Sequence, residues 1–395
     1  LININKIKSL ALIGTLILTA LSSTAFADFS PSNLVIICNK NFKESCELAR
    51  FYSEKRKVPA DNIIELNTKD TELIERADFN NEILEPIKSK LVEKKLVVSL
   101  KILVTFYGVP LTVTDADQDS VAAVDSELTL LKVQPGGAPL TNRLYNPLYV
   151  DDINSSSKIS SKNYLALKGL TLVSRIDGPS PEKVRSMITD SIETENSQSL
   201  KGNFVIDSRG LSWDQDDEFA EYDKDLVKLA RNIEVGSRFE TEFDGNETLA
   251  EKTSNVGLYV GWYSLRNFEN LYKFNKGAIG YHIASEEAAS LREPEEKGWC
   301  KNLIANGVVA TLGAVTEPYL DSFPKPNKFY TLLLSGKYQL VEIFFLSSKY
   351  LSWRVILIGD PLYKPISEKT ARKEFDYDSE DYNELPVAPS VLMKN

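Results

Sequence analysis

The chain has one histidine, His282, so any chemistry that needs an imidazole has a single residue to draw on. Lysine and arginine nowhere cluster and acids outnumber them, giving a formal charge of −10. That pattern excludes nucleic acid as a partner, because phosphate binding needs concentrated positive charge. It also argues against docking on an anionic membrane surface. After the first 27 residues no apolar run is long enough to span a bilayer. Cysteine is scarce, and three is an odd number for a chain in an oxidising compartment. Cys38 and Cys46 can pair there, whereas Cys300, beside Trp299, reads as either a packing thiol or a nucleophile. No internal repeat is present.

What the chain does contain begins with a leader. Lys6 and Lys8 precede an apolar run from Leu10 to Leu21, and Ala25-Phe26-Ala27 supplies small residues for cleavage. Residues 1–27 therefore read as a secretory signal peptide, and the product as exported, periplasmic or extracellular, with no stable membrane span after cleavage. Removing two lysines and no acid takes the formal charge to about −12.

Strand and helix patterns then alternate, which predicts an α/β fold with a mostly parallel sheet flanked by helices. Residues 28–169 form an N-terminal α/β region interrupted by an acidic excursion at 114–162. A second α/β region covers 170–366, and residues 367–395 read as a charged, disordered tail. The second region carries GLYVGWYS, GAIGYHIAS, NGVVATLGA and LIGDPLY, strand-like runs with polar or aromatic residues at their ends. Open α/β sheets place their sites at such strand ends.

The order of these motifs resembles that of gingipain-type cysteine peptidases. SRIDGPSPEKVRSMITDSIETE is similar to that family's strand, turn and helix, and FVIDSRG to its Asp-terminated strand. GLYVGWYS stands at the family's histidine loop and GAIGYHIAS at the strand that ends in its cysteine. The set also resembles an uncharacterised family of exported bacterial proteins that share GWYS, a GAI strand, EPYL and GDPLY, over Asn33 to Pro365. The resemblance implies a caspase-like or gingipain-like core. It does not extend to the dyad: Trp262 and Tyr263 occupy the histidine loop, and Ala284 or Ser285 the cysteine position. A thiolate and an imidazole are both needed for that chemistry, so an ordinary cysteine peptidase is not expected.

Two readings of the strand ends remain open. In one, His282 is a general base and Ser264 or Ser285 a nucleophile in a rearranged hydrolase. Each serine reads equally as a helix cap, and His282 as a buried, hydrogen-bonded core residue. In the other, Trp262 and Tyr263 stack on a peptide- or sugar-like ligand while arginines select its carboxylates. Arg175 and Asp177 end one strand, and Asp207 and Arg209 another. If those strands are neighbours, the four charges converge, with Glu317 of TEPYL beside them. No cofactor is called for. Asp115, Asp117 and Asp119, with Glu127 further on, have the alternate spacing of a calcium loop but no glycine at its sixth position. A solvated acidic loop is the competing reading. Asp125 and Glu127 could also act as a carboxylate pair.

Overall fold

The computed structural model describes residues 29–132, 143–150, 169–211, 217–246, 252–262, 264–351 and 353–367. Residues 1–28, which include the expected signal peptide, the residues from 368 onward, parts of the acidic excursion and Tyr263 lie outside these described residues.

Ten strands form one sheet. In chain order they are β1 (Leu34–Asn39), β2 (Ile63–Leu66), β3 (Ile102–Phe106), β4 (Leu172–Ile176), β5 (Asn203–Asp207), β6 (Thr241–Asp244), β7 (Thr253–Gly261), β8 (Tyr272–His282), β9 (Ala310–Ala314) and β10 (Val355–Gly359). Across the sheet the order is β6-β5-β7-β8-β9-β10-β4-β3-β1-β2. Strands β1, β3, β4, β9 and β10 are buried at every position. Burial at every position, mostly by apolar residues, marks strands covered on both faces. Segments 28–169 and 170–366 thus contribute strands to a single sheet.

The helices used below are α1 (Ser45–Arg56), α2 (Glu85–Glu93), α3 (Val124–Thr129), α4 (Pro181–Ser197), α5 (Glu218–Gly236), α6 (Trp299–Ala305), α7 (Pro326–Leu334) and α8 (Leu340–Ser347). The two-residue period of a strand divides the core between the faces. From β1, Leu34 and Ile36 join Leu48 and Tyr52 of α1, while Val35 and Ile37 join Ile87 and Leu91 of α2. Helix α4 begins at a Ser-Pro start signal: the Ser180 hydroxyl accepts from the Lys183 amide, and Pro181 fits the first turn.

Strand β10 is the last among the described residues yet sits inside the sheet. It runs antiparallel to β9, and Ile358 meets Arg175 of β4 on its other side. Asp360, just past it, accepts from the Tyr52 hydroxyl (2.8 Å) and Arg56 Nε (2.5 Å) on α1. Arg56 also makes a bidentate pair with Glu195 of α4.

Cys38 and Cys46 form a disulfide from the end of β1 to the first turn of α1, and Cys300 is free and buried. The bond closes a short loop, with eight positions separating its ends. The chain-entropy relation gives such a loop about 2–3 kcal/mol. The Cys38→Ser, Cys46→Ser double variant is therefore expected to lose that much folding stability, read as a lower denaturant midpoint at an unchanged slope. An unchanged midpoint would mean the bridge does not constrain the unfolded chain.

Candidate functional site

The charges expected to converge do not. Four strands (β7, β8, β9 and β10) separate β5 from β4, a distance of about 24 Å at roughly 4.8 Å per strand. Arg175 is fully buried, and all five of its N–H groups are used: Asp125 takes Nε and Nη2, Asp177 and the Val109 carbonyl take Nη1, and the Pro110 carbonyl takes Nη2. Asp177 also meets Arg292, at 3.2 Å. Arg175 and Asp177 are therefore a structural ion network that joins the loops after β3 and β4. No donor is left to clamp a ligand.

The other half of the edge forms a cleft of about 580 Å³, within the usual range for ligand sites of roughly 300–1,000 Å³. Five of the sequence-predicted residues line it: Arg209, Trp262, Ser264, Ser285 and Glu317. Its walls also carry Phe219, Leu265 and Tyr319, all more than half exposed. Arg175, Asp177, Asp207 and His282 do not line it. Tyr263 lies outside the described residues.

Asp223, in the second turn of α5, holds this wall together. Its buried carboxylate accepts from the Ser208 hydroxyl, the Arg209 and Leu211 amides and Trp262 Nε1, all at 2.7–2.9 Å. One side chain thus fixes both the backbone of Arg209 and the indole over which the Arg209 guanidinium lies, 5.1 Å from the ring centroid. Trp262 is itself sandwiched, with Phe219 at 6.0 Å and Tyr222 at 6.2 Å, and is only 4% exposed. It serves as a support, and the exposed aromatic surface belongs to Phe219 and Tyr319. The sequence gives little sign of Asp223, which looks like one more polar position on an amphipathic helix. Tyr319 lies within the EPYL motif already singled out.

His282 turns away from the cleft. Strand alternation sends Tyr281 to the α7 face, where it packs on Phe329, and His282 to the α6 face. There the imidazole stacks on Trp299 at 3.8 Å and 2°, and Nδ1 lies 2.9 Å from the Tyr259 hydroxyl. Gly261, opposite His282 in the sheet, makes room for this contact: a Cβ there would sit 2.5 Å from that hydroxyl. Tyr272 hydrogen-bonds both Tyr259 and Asp207 Oδ2. Burial pushes both tyrosine hydroxyls well above their ordinary range, so each stays protonated.

Neither serine caps a helix, contrary to one of the two expectations. Ser285 opens a turn and no helix follows. Ser264, with φ of +56°, donates to the Asn267 carbonyl and accepts from the Asn267 side-chain amide. The helix start nearby is α6, and its acceptor is Glu287, which the sequence places with Glu286 in the first turn of a helix after Ser285 that does not form. Glu287 takes the Trp299 amide at 2.6 Å and the Arg266 amide at 2.8 Å, which ties the Ser264 turn to α6. Burial raises its carboxyl to about 7. Burial also raises the Cys300 thiol, with the Glu287 charge adding to the effect, so Cys300 stays a thiol rather than a nucleophilic thiolate.

The first part of the acidic excursion, through Glu127, is held by Arg76, which pairs with Asp115 at 3.2 Å and with the buried Glu127 at 2.9 Å. Asp117 accepts from the Asp119 amide and the Ser120 hydroxyl. These carboxylates face an arginine and loop donors rather than one another. Among the described residues, the one group of ligand-type atoms close enough for a metal is Cys38, Cys46 and Glu65, and its two sulfurs are bonded to each other. Asp125 serves Arg175 and Glu127 serves Arg76, so the two acids are not a working pair.

No family model and no curated protein matches this sequence. One solved structure, described as "Structure of Protease", is similar over 86% of this chain and 80% of its own, with a TM-score of 0.50 and 10% identity. The fold is protease-like. At that identity the likeness concerns architecture alone, since one fold hosts many chemistries. Within this fold, the cleft holds two serines, an arginine and two glutamates, while the imidazole and the free thiol lie in the core. No helix among the described residues is long and apolar enough to cross a membrane.

Proposed function

We propose that this is an exported binding protein on a degenerate gingipain-like fold, taking a peptide- or sugar-like ligand in the strand-end cleft. The observation that carries the reading is the placement of His282. It is 1% exposed, stacked on Trp299 and engaged at Nδ1 by Tyr259. A general base must come within hydrogen-bond reach of its proton donor, and this ring faces the core. The leader at 1–27 and the Cys38–Cys46 bridge support export. The fixed Arg209–Trp262 pair and the exposed aromatic walls support binding.

Serine-reactive fluorophosphonate labelling tests this against the hydrolase reading. The folded protein is expected to label no more than a heat-denatured control. Labelling that disappears in Ser285→Ala or Ser264→Ala would establish a nucleophile and sink the binding-only reading.

A further inference from the structure

Arginines elsewhere on this edge of the sheet are neutralised. Arg175 meets Asp125 and Asp177, Arg266 meets Glu286 and Glu296, and Arg292 meets Glu72 and Asp177. Arg209 differs: it lines the cleft, and no carboxylate among the described residues pairs with it. Its position is nonetheless fixed, because Asp223 holds its amide and the indole beneath it. A guanidinium that is pre-oriented, with no carboxylate partner among the described residues, is suited to charge-assisted hydrogen bonds with a carboxylate. The same cleft carries the opposite charge at Glu317. That residue is exposed, and its backbone carbonyl is held by Arg354. Phe219, Leu265 and Tyr319 supply apolar and aromatic surface to the same space.

We infer that the ligand is a peptide bearing both a carboxylate and a cation, with Arg209 receiving the first and Glu317 the second. An apolar or aromatic residue packs on the walls. This inference rests on the cleft being a binding site. A purely acidic ligand would meet Glu218 and Glu317 as well as Arg209, and a purely basic one would leave the guanidinium desolvated without a partner. Peptides can present these charges at their termini or on side chains, and both sources share the same chemistry.

The test is calorimetric titration of the full chain with the tripeptide Lys-Phe-Asp in free, N-acetylated, C-amidated and doubly capped forms. The doubly capped peptides Lys-Phe-Asn and Gln-Phe-Asp accompany them. Arg209→Met is expected to weaken the carboxylate-bearing peptides by about tenfold or more, and to leave capped Lys-Phe-Asn within about twofold. Glu317→Gln, an exposed change that leaves the core intact, should weaken the lysine-bearing peptides by a similar factor and spare capped Gln-Phe-Asp. Loss on terminal capping identifies terminal charges as the source. Retained binding of the doubly capped form identifies side chains. If peptides bind but neither variant discriminates among them, the charge assignment falls while the binding reading stands. If no form binds wild-type protein at millimolar concentration, both fall.

Discussion

Arg175→Met is expected to lower folding stability by about 3–5 kcal/mol, the usual cost of removing one partner from a buried ion network. The guanidinium spends all five donors on Asp125, Asp177 and two carbonyls, with no solvent exposure. Removing it leaves Asp125 buried, with the Thr105 hydroxyl at 2.8 Å as its remaining side-chain partner. It leaves Asp177 with Arg292 and the Gly178 amide. The loss comes mostly from the stranded charge, so adding Asp125→Asn should recover part of it. Chemical denaturation of the single and double variants measures both quantities. A loss below about 1 kcal/mol for Arg175→Met would mean the network is hydrated and contributes little.

Asp223→Ala should cost about 3–4 kcal/mol, since it takes the acceptor from four donors at once and each buried orphan costs about 1–3 kcal/mol. The figure lies below the simple sum because the loop 208–211 can relax toward water. Its effect on the cleft should be more selective than its effect on stability. With the acceptor gone, the Trp262 indole loses its anchor, and Arg209 loses both its amide partner and the surface beneath its guanidinium. Near-ultraviolet circular dichroism should therefore change in its tryptophan bands while the far-ultraviolet spectrum is retained. An unaltered tryptophan signal with full stability would show that packing by Phe219 and Tyr222 holds the ring without Asp223.

The α/β class was legible because short, largely apolar strand runs alternate with amphipathic helices, and because Ser180 and Pro181 mark a helix start that local chemistry enforces. Strand order was not. Nothing in the local pattern of Leu172–Ile176 or Asn203–Asp207 says that four strands lie between them, so the expected convergence of Arg175 with Asp207 failed. The faces of Tyr281 and His282 followed from alternation alone, whereas the stack on Trp299 needed the return of α6 across β8. Arg209, Trp262, Ser264, Ser285 and Glu317 were found as strand-end residues, and that is what brings them to one cleft. Asp223 and the role of Glu287 were missed because a buried acid and a solvated acid are indistinguishable until the donors around them are placed.

The late position of β10 has a consequence for how the chain reaches its native state. Two half-sheets, β6-β5-β7-β8-β9 and β4-β3-β1-β2, meet only through a strand that lies some 180 residues after β4 in the chain. Until Val355–Gly359 inserts, β9 and β4 each present an open edge, the kind of template on which other chains can pair. Tyr52 and Arg56 likewise wait about 300 residues for Asp360. Contacts of such long sequence separation slow folding, because loop closure must precede the contacts that reward it. Shielding of those two edges by a holding factor would therefore matter most before Val355–Gly359 docks, and release would be timed by that strand.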